Sequence, residues 1–289
     1  TKSGYELTAT EDHRIMTESG WKQLKDITTE DKVLIQSGAG RFNKDAALPI
    51  EVNNNIIGKN GRTYELNLPT AWDHKLGMLM GWLVGDGFIS SEHSILGLVF
   101  SKEDGEAKQI IQPIMEEYCN RKITPSEYEN GCVQARSASK PIVDFFTQLG
   151  VKASGEERRV PDSLFTATED TVTGFLKGLC SSDGTIGMGS ESRNYARLNS
   201  SSLKLLKDVQ LLLLNLGVRS SIYDRSAKPK EFKYVNKSGE SVRYETSGVN
   251  YELNISKENL PKFLNRAGFI QKENLQKTDE LTGFEFYRE

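Results

Sequence analysis

The spacing of apolar residues divides the chain into an opening part of short alternating runs and a longer part in which helical and strand periods recur twice in one order. In the opening part, Tyr5 to Thr10 alternates and Val33 to Ile35 predicts a short buried strand. Leu76, Leu79, Met80 and Leu83 then recur at helical spacing and predict a helix over Asp73 to Asp86. A strand at Ile95 to Phe100, an amphipathic helix at Glu106 to Tyr118 and a strand at Cys132 to Arg136 follow. Ile142, Phe145, Phe146 and Leu149 make a helical stripe that stops at Gly150. The order then repeats. A helix over Thr171 to Asp183 leads to a strand at Tyr195 to Asn199 and an apolar helix from Leu203 to Leu216, ending at Gly217. Strands are expected at Ser220 to Asp224, Phe232 to Val235, Val242 to Glu245 and Tyr251 to Ile255, with a hairpin turn at 236–239. Leu260, Phe263 and Leu264 predict a closing helix that stops at Gly268.

The two leading helices share more than their period. Each ends in Asp-Gly, at Asp86-Gly87 and Asp183-Gly184, which predicts glycine in the left-handed conformation that stops helices. Each carries a small residue at every fourth place: Gly77, Gly81 and Gly85 in one, Gly174, Gly178 and Ser182 in the other. Such stripes let two backbones approach closely, so the helices are expected to pack small face to small face. If they run parallel, Asp86 and Asp183 meet at their C-terminal ends. Carboxylates are electrostatically misplaced there, and two together repel unless a cation relieves them. Oxygen ligands with surplus negative charge suit Mg²⁺ or Ca²⁺.

The stretches 79–87 and 176–184 resemble the LAGLIDADG motif of homing endonucleases, at the separation found in single-chain members with two pseudo-symmetric halves. The resemblance implies an α+β fold: two αββαββα halves, each with an antiparallel sheet, together forming a saddle over duplex DNA. The halves would occupy 69–170 and 171–280. It also implies metal-dependent hydrolysis of both DNA strands across the minor groove, leaving short 3′ overhangs. Asp86 and Asp183 would hold Mg²⁺, with Ca²⁺ or Mn²⁺ able to substitute, and the carbonyls of Gly85 and Ser182 would add ligands. The family places a basic residue near each metal. In the first half it sits in a Lys-Arg-Ile-Pro block, here Arg158 to Pro161, with Arg158 where Lys is usual, which keeps the charge but alters the geometry. The second basic position matches Lys272. Contacts to phosphates or base edges are expected from the sheet strands, with Arg193, Arg197, Arg219, Arg225, Lys233, Tyr234 and Arg243 as candidates.

Thr10-Glu11-Asp12-His13, followed by Gly20-Trp21, resembles a block of inteins and Hedgehog-type autoprocessing domains, in which His and Thr polarise the scissile amide. Thr10 and His13 are the matching positions, and 1–68 would be a partial, largely β Hint segment with a linker. Residues 281–289 read as the start of a strand returning to it. The chain carries neither the N-terminal nucleophile nor the closing His-Asn of that family, so splicing is not expected of it as it stands.

Composition narrows these readings little. The formal net charge of −3 argues against a general nucleic-acid binder, but Arg219 to Arg243 is locally basic. Cys119, Cys132 and Cys180 form neither a disulfide framework nor a zinc pattern. No apolar run reaches the length of a membrane span and no secretory signal is evident, so a cytoplasmic monomer is expected. The expected function is a site-specific, intein-derived homing endonuclease cutting a long duplex site, such as the host allele lacking the intein. Its rivals are a LAGLIDADG DNA-binding protein with impaired cleavage, and a splicing fragment acting with missing segments.

Overall fold

The computed structural model describes residues 1–36, 38–57, 61, 63–128, 131–151, 157–187, 194–235, 241–245 and 247–271, with backbone alone at 64, 232–235, 242 and 244. Two hairpins come first: β1 (Arg14–Thr17) with β2 (Gly20–Gln23), and β3 (Asn55–Ile57) with β4 (Thr63–Glu65). The first half then runs α1 (His74–Asp86), β5 (Gly87–Ser90), β6 (Ile95–Phe100), α2 (Gly105–Cys119), β7 (Ser126–Glu127), β8 (Val133–Ala138) and α3 (Lys140–Gln148). The second runs α4 (Glu169–Asp183), β9 (Gly184–Gly187), β10 (Tyr195–Ser200), α5 (Leu203–Asn215), β11 (Ser221–Asp224), β12 (Glu231–Val235), β13 (Ser241–Glu245), β14 (Tyr251–Ser256) and α6 (Asn259–Arg266).

Each half folds one four-stranded antiparallel sheet in the same order, β5-β6-β8-β7 and β9-β10-β14-β11. The registers also match. Gly87 pairs with Leu98 and Leu98 with Ala135; likewise Gly184 pairs with Leu198 and Leu198 with Leu253. The period of two sends Leu96, Leu98, Phe100 and Ala135 into the core of one half, and Ala196, Leu198, Leu253 and Ile255 into that of the other. The opposite face is mainly polar and aromatic in the second sheet, with Tyr195, Arg197, Asn199, Tyr223, Glu252 and Asn254, and mixed in the first, where Ile95 and Val99 stand beside Phe88, Gln134 and Arg136. β12 and β13 depart from the repeat. They form a separate two-stranded hairpin inserted between β11 and β14, and do not join the main sheet.

α1 and α4 are the shared spine, and their glycines explain the packing. A Cβ added at Gly77 or Gly81 would lie 2.2 or 2.1 Å from the backbone oxygen of Thr171 or Phe175. One added at Gly174 or Gly178 would lie 2.4 or 2.1 Å from the oxygen of His74 or Met78. These contacts advance together along both helices, so the helices are parallel and touch backbone to backbone. The N-termini are fixed by side-chain caps, Asp73 accepting from the Leu76 N–H (2.7 Å) and Thr168 from that of Thr171 (3.4 Å).

The helix ends correct one expectation. Gly87 (φ −118°) and Gly184 (φ −103°) are extended, not left-handed. Glycine is needed there for closeness: a Cβ at Gly87 would meet Leu83 Cα at 2.5 Å, and one at Gly184 the Cys180 oxygen at 2.4 Å. Helix thus passes directly into strand, with no intervening loop. The closing glycines behave as expected, with φ of +91° at Gly150, +75° at Gly217 and +61° at Gly268.

Residues ahead of α1 lie against both halves. Ser3 accepts from the Ile222 N–H and from Gln210 Nε2, and the Tyr5 hydroxyl accepts from the Ser220 N–H. Asn54 and the backbone of Leu68 exchange two hydrogen bonds beside the first half. No helix among the described residues is long and apolar enough to cross a membrane.

Candidate active site

The parallel packing of α1 and α4 brings their last turns together. A Cβ on Gly85 would lie 1.8 Å from Ser182 Oγ and 3.5 Å from Asp183 Oδ2, so the ends of the two helices touch. Neither helix has a basic residue in its last turn to offset the negative pole. Burial pushes the Asp86 carboxyl up to about 7, and the charges of Asp183 and Asp104 push in the same direction. Asp183 is also raised by burial, partly offset by the Arg158 guanidinium. Ser182 donates its hydroxyl to the Leu179 carbonyl (2.9 Å), which satisfies the proton within the helix.

Arg158 is placed by its neighbours. Its carbonyl accepts from Ser202 Oγ (2.6 Å), and the next residue, Arg159, forks onto buried Asp208 at 3.0 and 3.1 Å. Val160 and Pro161 are buried after it. The side chain of Arg158 then reaches Asp183 (Nη1–Oδ2 3.3 Å), the carboxylate of the second half, and its charge is felt at Asp86 too. Its family block had placed it with the first half. Lys272 lies outside the described residues. The two residues before it hold the end of α4: the Ile270 N–H donates to Ser181 Oγ (2.8 Å) and Gln271 Nε2 to the Ser181 carbonyl (2.6 Å).

A concavity of about 290 Å³ opens beside Asp86, lined among others by Ser101, Lys102, Glu103 and Cys132. Lys102 and Asp104 were missed by the sequence reading. They follow β6 at a distance in sequence from Asp86, and only the register of the repeat could have pointed to that loop.

The candidate contact residues separate into groups. Arg197 and Arg225 share the outer face of the second sheet, where Glu252 meets both (3.7 and 3.2 Å). Arg219 instead pairs with Glu258 (2.5 Å), ahead of α6. Arg243 pairs with Glu231 across the β12–β13 hairpin (3.4 Å). Lys233 is on β12 opposite Arg243, but the side chains of Lys233 and Tyr234 lie outside the described residues, as does all of Arg193. The outer face of the first sheet holds an arginine that had not been singled out. Arg136 sits over the rings of Phe88 (5.6 Å) and Tyr128 (5.9 Å) and donates to Gln134 Oε1 and the Tyr128 hydroxyl.

Thr10 and His13 form an exposed turn before β1, closed by the His13 N–H on the Thr10 carbonyl (3.0 Å). The hydroxyl of Thr10 holds the Asp12 carboxyl below its usual range. The expected returning strand at 281–289 lies outside the described residues.

Residues 170–268 match the family described as LAGLIDADG-like domain. The second half is a LAGLIDADG-like domain. Its motif helix is α4, and the first half repeats its order of elements and its register. The replicative DNA helicase DnaB of Rhodothermus marinus is 26% identical over 284 residues, covering 93% of this chain and 26% of the helicase. Subunit alpha of the ribonucleoside-diphosphate reductase NrdEB of Bacillus subtilis is 24% identical over 262 residues, 84% of this chain and 21% of the subunit. The chain thus spans about a quarter of the length of these curated relatives. Among solved structures, mesophilic variants of the homing endonuclease I-DmoI superpose with a TM-score of 0.46 at 19% identity, over 67% of this chain and 94% of that one.

Proposed function

We propose that this chain is a site-specific DNA endonuclease of the LAGLIDADG type, carried as an inserted, intein-derived element and hydrolysing both strands of a duplex. The observation that carries the reading is the meeting of two half-buried carboxylates, Asp86 and Asp183, at the joined ends of two parallel helices. Burying like charges at a negative helix pole costs stability, and a cation relieves that cost. The insertion reading is supported by the relatives. A helicase and a nucleotide reductase share no reaction, yet each aligns with this chain over only about a quarter of its own length.

The donor set fits a small hard cation. Among the described residues no cluster of three or more His, Cys, Asp or Glu is present, so the protein offers two carboxylates. That sparse set suits Mg²⁺, which keeps water and takes substrate phosphate oxygens as its remaining ligands. Asp86 and Asp183 would hold it, helped by the carbonyls of Gly85 and Ser182, in the last helical turns where carbonyls lack intrahelical partners. When bound, the cation supplies Lewis acidity toward phosphate oxygen and water. Arg158 holds Asp183 in place and offers positive charge to the phosphate; Lys272 is the corresponding proposal for the other strand. The sheet faces carrying Arg136, Arg197 and Arg225 orient the duplex, one half-site to each face. Thr10 and His13 would be the remnant of the splicing block.

The test is cleavage of a randomised duplex library with Mg²⁺, comparing the protein with Asp86→Asn and Asp183→Asn. One recurrent cut site, lost in both variants, supports the reading. A second reading, a DNA-binding protein that no longer cuts, is favoured by one contact. Arg158 already engages the Asp183 carboxylate that a cation would use. Specific retention of uncut duplex in the same experiment would establish it.

A further inference from the structure

The outer faces of the two sheets are matched in register but not in charge. Gln134 pairs with Val99 as Glu252 pairs with Asn199, so Gln134 and Glu252 occupy the same place in their halves. Gln134 is neutral and accepts from a single arginine, Arg136. Glu252 is charged and meets two, Arg197 on one neighbouring strand and Arg225 just beyond the other. Its side chain is only 10% exposed, although it stands on the polar face.

A carboxylate on a surface meant for a polyanion opposes binding, since each phosphate contact gains from positive charge. Its burial between two guanidiniums needs another role. Each arginine also lies over a ring, Arg197 over Tyr195 (5.8 Å) and Arg225 over Tyr223 (5.0 Å). Glu252 accepts a hydrogen bond from Arg225 (3.2 Å) and stands at ion-pair distance from Arg197 (3.7 Å), so a carboxylate and an aromatic face together restrain each guanidinium. Phosphate contacts do not need that constraint. Bidentate pairing with the O6 and N7 atoms of guanine does, because both donors must lie in the plane of the base.

Resting on the endonuclease or DNA-binding reading above, we infer that Glu252 is a positioning residue that orients Arg197 and Arg225 together to read guanines in the half-site facing the second sheet. It gives up affinity for specificity. Arg136, whose partners among the described residues are the neutral Gln134, Tyr128 and Phe88, is the matching reader in the other half-site and is independent of Glu252.

The experiment selects bound duplexes from a randomised library in Ca²⁺, with wild-type protein and with Glu252→Gln, Arg197→Met and Arg225→Met. The expected result for Glu252→Gln is loss of guanine preference at two positions of one half-site, by about tenfold each, a conservative share of what a bidentate pair supplies. Affinity for non-cognate duplex should rise, with a steeper salt dependence, because a negative charge has left the face. Each arginine variant should lose one of the two preferences. A purely structural role would weaken all sequences alike and lower the thermal midpoint. That outcome overturns the inference, as does an unchanged half-site preference in Glu252→Gln. Should Glu252→Gln not fold, the arginine variants decide: unaltered preferences in both overturn the inference. Absence of any selected sequence with wild-type protein would instead count against the DNA-binding reading itself, so the two failures are distinguishable.

Discussion

Arg158 and Asp183 are joined across the boundary between the halves, Nη1 to Oδ2 at 3.3 Å. The guanidinium comes from the segment that ends the first half, and the carboxylate from the motif helix of the second. The first half therefore reaches into the carboxylate end of the second. A positively charged donor aimed at a reacting centre is worth about a hundredfold or more in rate. Arg158→Ala should lower single-turnover cleavage by about that factor while leaving duplex affinity in Ca²⁺ within a few fold. Arg158→Lys should recover part of the rate, since charge is kept and the planar fork is lost. Quenched-flow cleavage of the selected site measures both.

Asp86 gives the protein a pH-dependent stability of defined sign. The unfolded chain releases this proton near 3.8, whereas the fold holds it up to about 7. The folded state therefore binds more protons between these values, and stability falls as pH rises from about 4 to about 7. Asp86→Asn should flatten this slope. At pH 8 without divalent ions the variant should be more stable than wild type by up to roughly 3 kcal/mol, an amount solvent contact reduces. Urea titrations at a series of pH values test it, and a slope equal in both proteins would refute the assignment.

Divalent ions should reverse that slope. A cation binds the carboxylates only after the proton leaves, so Mg²⁺ should raise the thermal midpoint more at pH 8 than at pH 5.5. At a hundred times the dissociation constant the gain is about 2.7 kcal/mol. Calorimetry in two buffers of different ionisation enthalpy should show proton release near neutral pH. Asp183→Asn should abolish both effects.

The helix contact can be tested without any ligand. A methyl group at Gly81 would sit 2.1 Å from the Phe175 carbonyl oxygen and 2.7 Å from the Leu179 nitrogen, and backbone cannot step aside as a side chain can. Gly81→Ala should cost about 3 kcal/mol or more. Gly105→Ala is the control: it opens α2, and nothing lies within 4 Å of the added carbon. There the change should be neutral or stabilising by about 0.5 to 1 kcal/mol. Equal midpoints for the two variants would mean that the stripes do not carry the interface.

These examples show what was legible in the sequence. The glycine stripes could be read because a missing side chain at every fourth place has one main structural use, and the register of α1 against α4 followed from it. The strands at Ile95–Phe100 and Tyr251–Ser256 were visible because one face of each is strictly apolar. Gly87 and Gly184 were misread, since closeness and left-handed backbone both select glycine and only coordinates separate them. β5 and β9, four residues each, are too short to show a period. The β12–β13 hairpin reads as part of the repeat because its alternation does not tell which sheet it joins. Arg136 does not stand out in the sequence because the locally basic stretch, Arg219 to Arg243, lies in the other half. The partnership of Arg158 with Asp183 depends on the chain crossing between halves, which no local spacing encodes.

The backbone-to-backbone contact of α1 and α4 has a geometric consequence. Side chains between two helices can repack and let them drift, but here carbonyl oxygens rest where methyl groups would be. The separation of Asp86 from Asp183 is thus set by the thickness of two bare helices, a length that side-chain repacking cannot change. If the chain cuts both strands as proposed, this length would be the ruler of the product. It would fix the offset between the two breaks, so the shape of the severed ends would be written in glycine and not in the carboxylates.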